Sequence, residues 1–212
     1  MQITKYEHDC LDIKNKGSRL VIDPGVYTTS FKDFTGINVV VITHEHPDHY
    51  DNEKIKQILS ANQNVAIYST QSVVQTINDP RATAVKHNDI KTVGDIKLQF
   101  FGTDHAVISS AIAPIGNTGV LVNDILFYPG DALTEITTPY TLLALPINAP
   151  WLKLSETIDY IAKSPAKIVF PTHNALLSEN GKDVYYRYPT AFCQEQNKQF
   201  IILDNQPPYT IE

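Results

Sequence analysis

Short apolar runs punctuate the chain, and most of them end abruptly in polar residues. Residues 3–22 predict two strands joined by a turn at Asn15, Lys16 and Gly17, the second strand spanning 19–22 and stopping at Asp23, Pro24 and Gly25. Residues 26–36 are polar and mixed, as in a loop over the surface. Val39, Val40, Val41 and Ile42 form a β-branched run suited to a buried strand. Beyond it Ile55, Ile58 and Leu59 share one face of a helix capped near Asp51 or Asn52. Residues 64–68 read as a strand and 71–77 as a short helix, which Asn78, Asp79 and Pro80 stop by removing a donor and restricting the residue before the proline.

Strand, helix, strand, helix is the rhythm of an α/β layer. It changes at residues 84–87, 90–93, 96–101, 119–122 and 125–128, short strands with turns at Val93-Gly94-Asp95 and Asn123-Asp124 that read as an antiparallel meander. From Thr141 the alternation returns: a strand over 142–147, a helix carrying Leu154, Ile158 and Ile161, a strand over 167–170, a helix over 182–196 interrupted by Pro189, and a strand over 199–203. Leu20-Val21-Ile22-Asp23-Pro24-Gly25 and Ile125-Leu126-Phe127-Tyr128-Pro129-Gly130-Asp131 share an apolar strand broken by Pro-Gly beside an aspartate, a sign of two similar halves. With no linker-like segment, residues 1–212 read as one mixed α/β (α+β) domain large enough to bury a core.

Charge narrows the partners. Seventeen basic side chains stand against 23 acidic ones, a net charge of -6 with no run of like sign, so phosphate-backbone binding is disfavoured. No stretch approaches the roughly 20 apolar residues needed to span a bilayer, and residues 1–6 lack a basic segment leading into an apolar one. The expectation is a cytoplasmic protein with a small-molecule substrate, a homo-oligomer staying open. Cys10 and Cys193 stand alone and far apart, as buried free thiols do.

The chemistry gathers where the apolar strand 39–42 gives way to Thr43, His44, Glu45, His46, Pro47, Asp48 and His49. Three imidazoles and two carboxylates within six positions are explained most simply by a metal, for which both groups are common ligands. Further histidines and a carboxylate end other apolar runs: His105 after 99–101, Asp131 after 127–128 and His173 after 168–170. Strand ends are where sites in α/β folds are assembled.

The HEHPDH motif at 44–49, followed in order by a histidine, a Gly-Asp and a last histidine after strands, resembles the metallo-β-lactamase superfamily over nearly the whole chain. That resemblance implies a four-layer αβ/βα sandwich, His44, His46 and His105 around a first metal, Asp48, His49 and His173 around a second, and Asp131 bridging them. Asp23 resembles the strand-end aspartate that steadies the ligand loops. The Tyr6-Glu7-His8-Asp9-Cys10, Leu145-Pro146-Ile147-Asn148-Ala149 and Phe170-Pro171-Thr172-His173-Asn174 segments are similar to the ascorbate 6-phosphate lactonase branch and its uncharacterised hydrolases.

The implied chemistry is hydrolysis of a small lactone, ester or phosphodiester. Two divalent ions about 3.5 to 4 Å apart lower the pKa of a shared water towards about 7, and the resulting hydroxide attacks. Zinc is the first expectation, manganese the second, with iron or cobalt also compatible. The superfamily's oxygen-reducing di-iron members carry glutamate where His46 stands, so hydrolysis is favoured over redox. Asp48 is expected to orient the attacking oxygen, and His8 and Asp104 are candidates for protonating the leaving group. Glu45, between two ligands, is expected to point away from them, and His87 to be a solvated surface residue. Asn148, Trp151 and Asn174 are candidates to line a pocket, Trp151 more as packing, and Tyr185, Tyr186, Arg187 and Tyr188 to pack a helix on the sheet or hold an anion. A nuclease of the same fold and a non-catalytic metal-binding sensor are the competing readings.

Overall fold

Val39 and Val41 face one side of their strand and Val40 and Ile42 the other, and all four are fully buried between different neighbours. A strand apolar on both faces needs a layer on each side, and this sets the architecture. The computed structural model describes residues 1–211. Among them the first sheet holds β1 (Gln2–Lys5), β2 (Leu11–Asn15), β3 (Ser18–Ile22), β4 (Val39–Ile42), β5 (Ala66–Ser69) and β6 (Ala82–Ala84). The second holds β7 (Ile90–Val93), β8 (Ile96–Phe101), β9 (Gly119–Val122), β10 (Leu126–Tyr128), β11 (Leu142–Pro146), β12 (Ile168–Thr172) and β13 (Gln199–Phe200), while β14 (Tyr209–Thr210) returns to pair with β1. Four helices cover the outside: α1 (Asn52–Ala61), α2 (Gln71–Ile77), α3 (Leu154–Lys163) and α4 (Glu179–Glu195).

The two sheets run β14-β1-β2-β3-β4-β5-β6 and β13-β12-β11-β10-β9-β8-β7. Each is antiparallel at one end and parallel at the other, the change falling at the β3–β4 pair and at the β10–β11 pair. Leu20, Ile22, Val39 and Val41 meet Leu98, Phe100, Val120, Tyr128 and Phe170 in the core between the sheets. Val21, Val40, Ile42 and Ile67 carry Ile55, Ile58 and Val73 of the first helix pair, and Leu121, Phe127, Leu143, Leu145 and Val169 carry Tyr160, Ile161, Tyr186 and Cys193 of the second. Helix, sheet, sheet, helix is the expected four-layer αβ/βα sandwich.

Several boundaries differ from the sequence reading, each for a local reason. Residues 3–22 form three strands, because the chain leaves the ladder at residues 6–10 and closes that loop with Tyr6 N–H donating to the Cys10 carbonyl at 2.9 Å. The loop 26–36 is not wholly superficial: Phe31 is fully buried against Phe34 and Tyr6. The edge strand is 82–84 rather than 84–87, since Lys86 to Asp89 turns back on the Asp89 carboxylate. Pro189 does not interrupt α4; its ring is buried, and tertiary packing by Tyr186 and Cys193 outweighs the one backbone bond it forfeits. The strand expected over 199–203 keeps only Gln199–Phe200, and β14 at Tyr209–Thr210 follows it where no strand was expected. Cys10 and Cys193 are both buried free thiols, and no helix among the described residues is long and apolar enough to cross a membrane.

One buried ion pair fastens the 26–36 loop to the first sheet. Arg19 grips Asp12 through Nε at 3.0 Å and Nη2 at 2.8 Å, and its Nη1 donates to Asp33 at 2.9 Å and to the Thr35 carbonyl at 2.6 Å. Removing the guanidinium strands a buried carboxylate, so Arg19→Ala is expected to lower the unfolding free energy by about 3–5 kcal/mol. Arg19→Lys should recover little, lacking the fork. Urea titration checks this; a loss below about 1 kcal/mol would place the pair among inconsequential surface bridges.

Candidate metal centre

Every side chain of the site leaves the end of a strand on the same rim of the sandwich. Residues 44–49 follow β4, Asp23 follows β3, His105 stands four residues beyond β8, Asp131 three beyond β10, and His173 directly after β12. The 6–10 loop between β1 and β2 brings His8 and Asp9. Gly25 lets the end of β3 press against this motif, since a Cβ there would sit 1.6 Å from the Asp48 carbonyl oxygen. Asp23 and His173 hold left-handed backbone, φ 45° and 56°, a conformation L side chains rarely adopt and one that clusters at functional sites.

Hydrogen bonds set which ring nitrogens face inward. His49 Nδ1 donates to Asp23 Oδ2 at 2.7 Å, His105 Nδ1 to the Ala106 carbonyl at 2.5 Å and His173 Nδ1 to the Asn148 carbonyl at 2.5 Å, so that in the neutral ring it is Nε2 that turns a lone pair inward. Thr43 Oγ1 gives its proton to Asp23 Oδ2 at 2.7 Å and so accepts from His44 Nδ1 at 3.0 Å, freeing His44 Nε2 likewise. That nitrogen lies 3.1 Å from His46 Nδ1. Asp131 is shared: its Oδ2 is 3.3 Å from His105 Nε2 and 3.2 Å from His173 Nε2, and its Oδ1 is 3.3 Å from His49 Nε2. Asp48 Oδ2 stands 3.5 Å from His173 Nε2 and 3.3 Å from His8 Nε2.

Metal-sized groups therefore form on both sides of Asp131. His44, His46, His105 and Asp131 converge on one point, and His8, Asp9, His49 and His173 on another. Among the described residues, Asp9 Oδ2, His49 Nε2, His105 Nε2 and Asp131 Oδ1 are buried with no hydrogen-bond partner. Orphaned buried polar atoms are costly, about 1–3 kcal/mol each and more when charged, and four of them facing one cleft fit divalent cations. Imidazole and carboxylate donors without thiolate suit zinc, manganese or iron alike.

Charge tells the same story. Burial, with the neighbouring His49, holds the His44 pKa well below its ordinary value, so it presents a lone pair. Burial also opposes charge on His49, yet Asp131, Asp9 and Asp23 hold its pKa well above the usual range; His173 is raised likewise against burial, by Asp9 and Asp131. Burial would raise the Asp131 carboxyl, but His49 and His173 hold it well below the usual carboxylate range. Asp48 is lowered too, hydrogen bonds from His173 and His8 outweighing burial. Protons on two imidazoles thus do what a cation would do better.

The remaining candidates divide. His8 is brought in but fully buried: its Nδ1 accepts from Ala175 N–H at 3.1 Å, so the neutral ring carries its proton on Nε2 and points it at Asp48. Asp104 is not brought in. It is exposed, its carboxylate accepting from Thr103 Oγ1 at 2.6 Å, because neighbours on extended backbone face opposite ways and His105 takes the inward side. Glu45 is exposed, as is His87, whose Nδ1 accepts from Gly102 N–H. Trp151 does more than pack: its Nε1–H donates to Asp131 Oδ2 at 3.1 Å. Asn148 serves through its carbonyl, while Asn174 is tied to Lys5, Tyr186 and Asp204. Tyr186 joins the core and Arg187 stacks over Tyr188, so no anion cradle forms there. Asp9 is the residue that sequence reasoning passed over. Three consecutive polar residues, Glu7 to Asp9, inside a strand-like stretch were the available signal.

Comparison with known proteins finds relatives across most of the chain. The family model described as Beta-lactamase superfamily domain matches residues 2–173. Protein Rv0786c of Mycobacterium tuberculosis is 34% identical over 192 residues, covering 88% of this chain and 90% of that protein. The UPF0173 metal-dependent hydrolase MJ1163 of Methanocaldococcus jannaschii is 26% identical over 191 residues, 81% of this chain and 83% of its own. The crystal structure of the metallo-beta-lactamase fold protein YhfI from Bacillus subtilis superposes with a TM-score of 0.75 at 14% identity, covering 99% of each chain.

Two outcomes are expected from the site. Asp23 steadies the rings from behind, so Asp23→Asn should weaken metal retention about 10- to 100-fold in chelator competition; unchanged retention would show that Asp23 only supports the fold. The metal-free protein should also lose stability as pH rises. The raised pKa values of His49 and His173 contribute stability that is complete below the unfolded histidine value near 6.5 and fades as pH climbs through the folded values. Metal loading replaces those protons, so thermal unfolding followed against pH should show this alkaline decline without metal and not with it. Parallel curves would sink the account.

Proposed function

The chain belongs to the beta-lactamase superfamily, and from that footing we propose that it is a metal-dependent hydrolase with a two-metal site acting on small, uncharged esters or lactones. The observation that carries the two-metal reading is the position of Asp131, whose oxygens lie within 3.2–3.3 Å of His105, His173 and His49 at once. Bound cations would supply Lewis acidity towards a carbonyl oxygen and water activated for attack near neutral pH. Zinc is the first expectation and manganese the second.

The side chains do the positioning. Trp151 and the His105, His49 and His173 rings fix the Asp131 carboxylate between the two groups. His8 Nε2–H holds Asp48 Oδ2, leaving the other Asp48 oxygen to orient an incoming water and take its proton. Asp48 stays ionised because its pKa is depressed, so it would take a proton only in passing, from water whose acidity bound cations would raise. The proton it receives is then available to the departing alkoxide, with His8 steadying the carboxyl throughout.

The cavity beside the first group supports the choice of substrate. About 240 Å³ in volume, it opens at His46 and His105 and is walled by Val107, Ile108, Ile112 and Ile115. No lysine or arginine lines it, so apart from bound cations nothing there would offset the charge a phosphodiester keeps, whereas an acyl chain or lactone ring would gain from the apolar wall.

Metal-loaded protein offered p-nitrophenyl esters, aliphatic lactones and bis-p-nitrophenyl phosphate is expected to turn over the first two, to lose that turnover on chelation, and to regain it on metal addition. Asp131→Ala should lower kcat by roughly 10²-fold or more while leaving the circular dichroism spectrum unchanged. Preference for the phosphodiester would overturn the substrate assignment, and turnover indifferent to chelator would overturn the mechanism.

A further inference from the structure

Asp9 is buried at the edge of the second group, and its two oxygens have different fates. Oδ1 accepts the His173 backbone N–H at 2.8 Å. Oδ2 lies 3.1 Å from His8 Nε2 and 3.4 Å from His49 Nε2, yet the His8 proton is directed at Asp48, and Oδ2 has no hydrogen bond. A fully buried carboxylate oxygen without a donor is unstable unless a cation faces it.

We propose that Asp9 is a ligand of the second metal position, making that position richer in oxygen than the first. The inference rests on reading the site as a metal centre. His8 cannot fill this role itself, because a ring whose Nδ1 accepts from Ala175 holds its proton on Nε2 and has no lone pair there to give. The second position is then faced by two imidazoles, His49 and His173, and three carboxylates, Asp9, Asp48 and Asp131; the first has three imidazoles and Asp131 alone. Two nitrogens and three oxygens suit a six-coordinate cation such as Mn²⁺ or Fe²⁺ better than four-coordinate zinc. The paired arrangement is therefore asymmetric, with zinc favoured at the first position and manganese or ferrous iron at the second.

The fold offers independent support. Asp9 stands four residues beyond β1, and His105 four residues beyond β8, each strand leading the antiparallel unit of its own half. The same place in the two halves thus sends one side chain to each group.

Manganese titration followed by electron paramagnetic resonance, with elemental analysis, tests this without reference to turnover. The wild-type protein is expected to take up two ions. Asp9→Asn keeps the acceptor for His173 N–H but loses the charge, so it should hold the first ion as before and the second about 10- to 100-fold more weakly. A second ion held by Asp9→Asn as tightly as by the wild type would reduce Asp9 to a support for the His173 backbone and overturn the proposal. Failure of the wild type to bind any cation would overturn the metal-centre reading itself, a result distinguishable because it needs no variant. Should Asp9→Asn not fold, the wild type loaded with Co²⁺ decides: weak visible absorption at the second position, the mark of six-coordination, supports the assignment, and two intense tetrahedral spectra refute it.

Discussion

Three carboxylates reach one imidazole in this molecule. His49 is 2.7 Å from Asp23 on one nitrogen and 3.4 and 3.3 Å from Asp9 and Asp131 on the other, all of them buried. So much negative charge out of water is tolerable only if its partners are held rigidly, and the surrounding structure is devoted to that. Asp23 accepts from Thr43 N–H, Thr43 Oγ1, His49 and the Tyr128 hydroxyl, the last coming from the opposite sheet. One carboxylate therefore steadies both the ligand loop and the contact between the two halves. That Asp23 adopts left-handed backbone to do so shows the constraint outweighing local preference.

The two halves use one plan. Three antiparallel strands followed by three parallel ones occur twice, β1 to β6 and β8 to β13, with β14 and β7 added at corresponding edges. Both halves break a strand with Pro-Gly, after β3 and after β10, and in both the glycine lies against the metal loop: Gly25 on the Asp48 backbone, Gly130 against Thr43. What has diverged is the cargo at the strand ends. The first half supplies the contiguous histidine motif and the second supplies isolated residues, so a centre at the interface needs both.

Much of this was legible because strand and site coincide in the sequence. Residues 39–42 announced a doubly buried strand, and His44, His46, Asp48 and His49 follow without a gap; His105, Asp131 and His173 could be found because each ends an apolar run. Asp9 was missed, since residues 3–13 read as one strand despite the unbroken polar run Glu7-His8-Asp9, and the structure opens residues 6–10 into a loop. Asp104 misled through adjacency to His105, although adjacent side chains on extended backbone face opposite sides. The bond from Trp151 to Asp131 was equally invisible, because an indole's hydrogen-bond partner is set by tertiary packing. Pro189 suggested a break that burial overrides.

Exposure finally decides the direction of approach. His44, His49, His105, Asp131 and His173 are buried, whereas His46 and Asp48 are only half so, the Asp48 side chain keeping 20% of its surface open. A small molecule would meet the centre over those two residues, and the apolar cavity opens beside His46. For the ester or lactone proposed above, the carbonyl would then lie over the first group and the departing oxygen towards Asp48. The arrangement asks different things of the two positions: polarisation where imidazoles dominate, and handling of protons where carboxylates do. On the two-metal reading an oxygen-rich second position would suit that division, since carboxylate ligands would soften the Lewis acidity of a cation held there, while Asp48, kept ionised by His8 and His173, would orient the water.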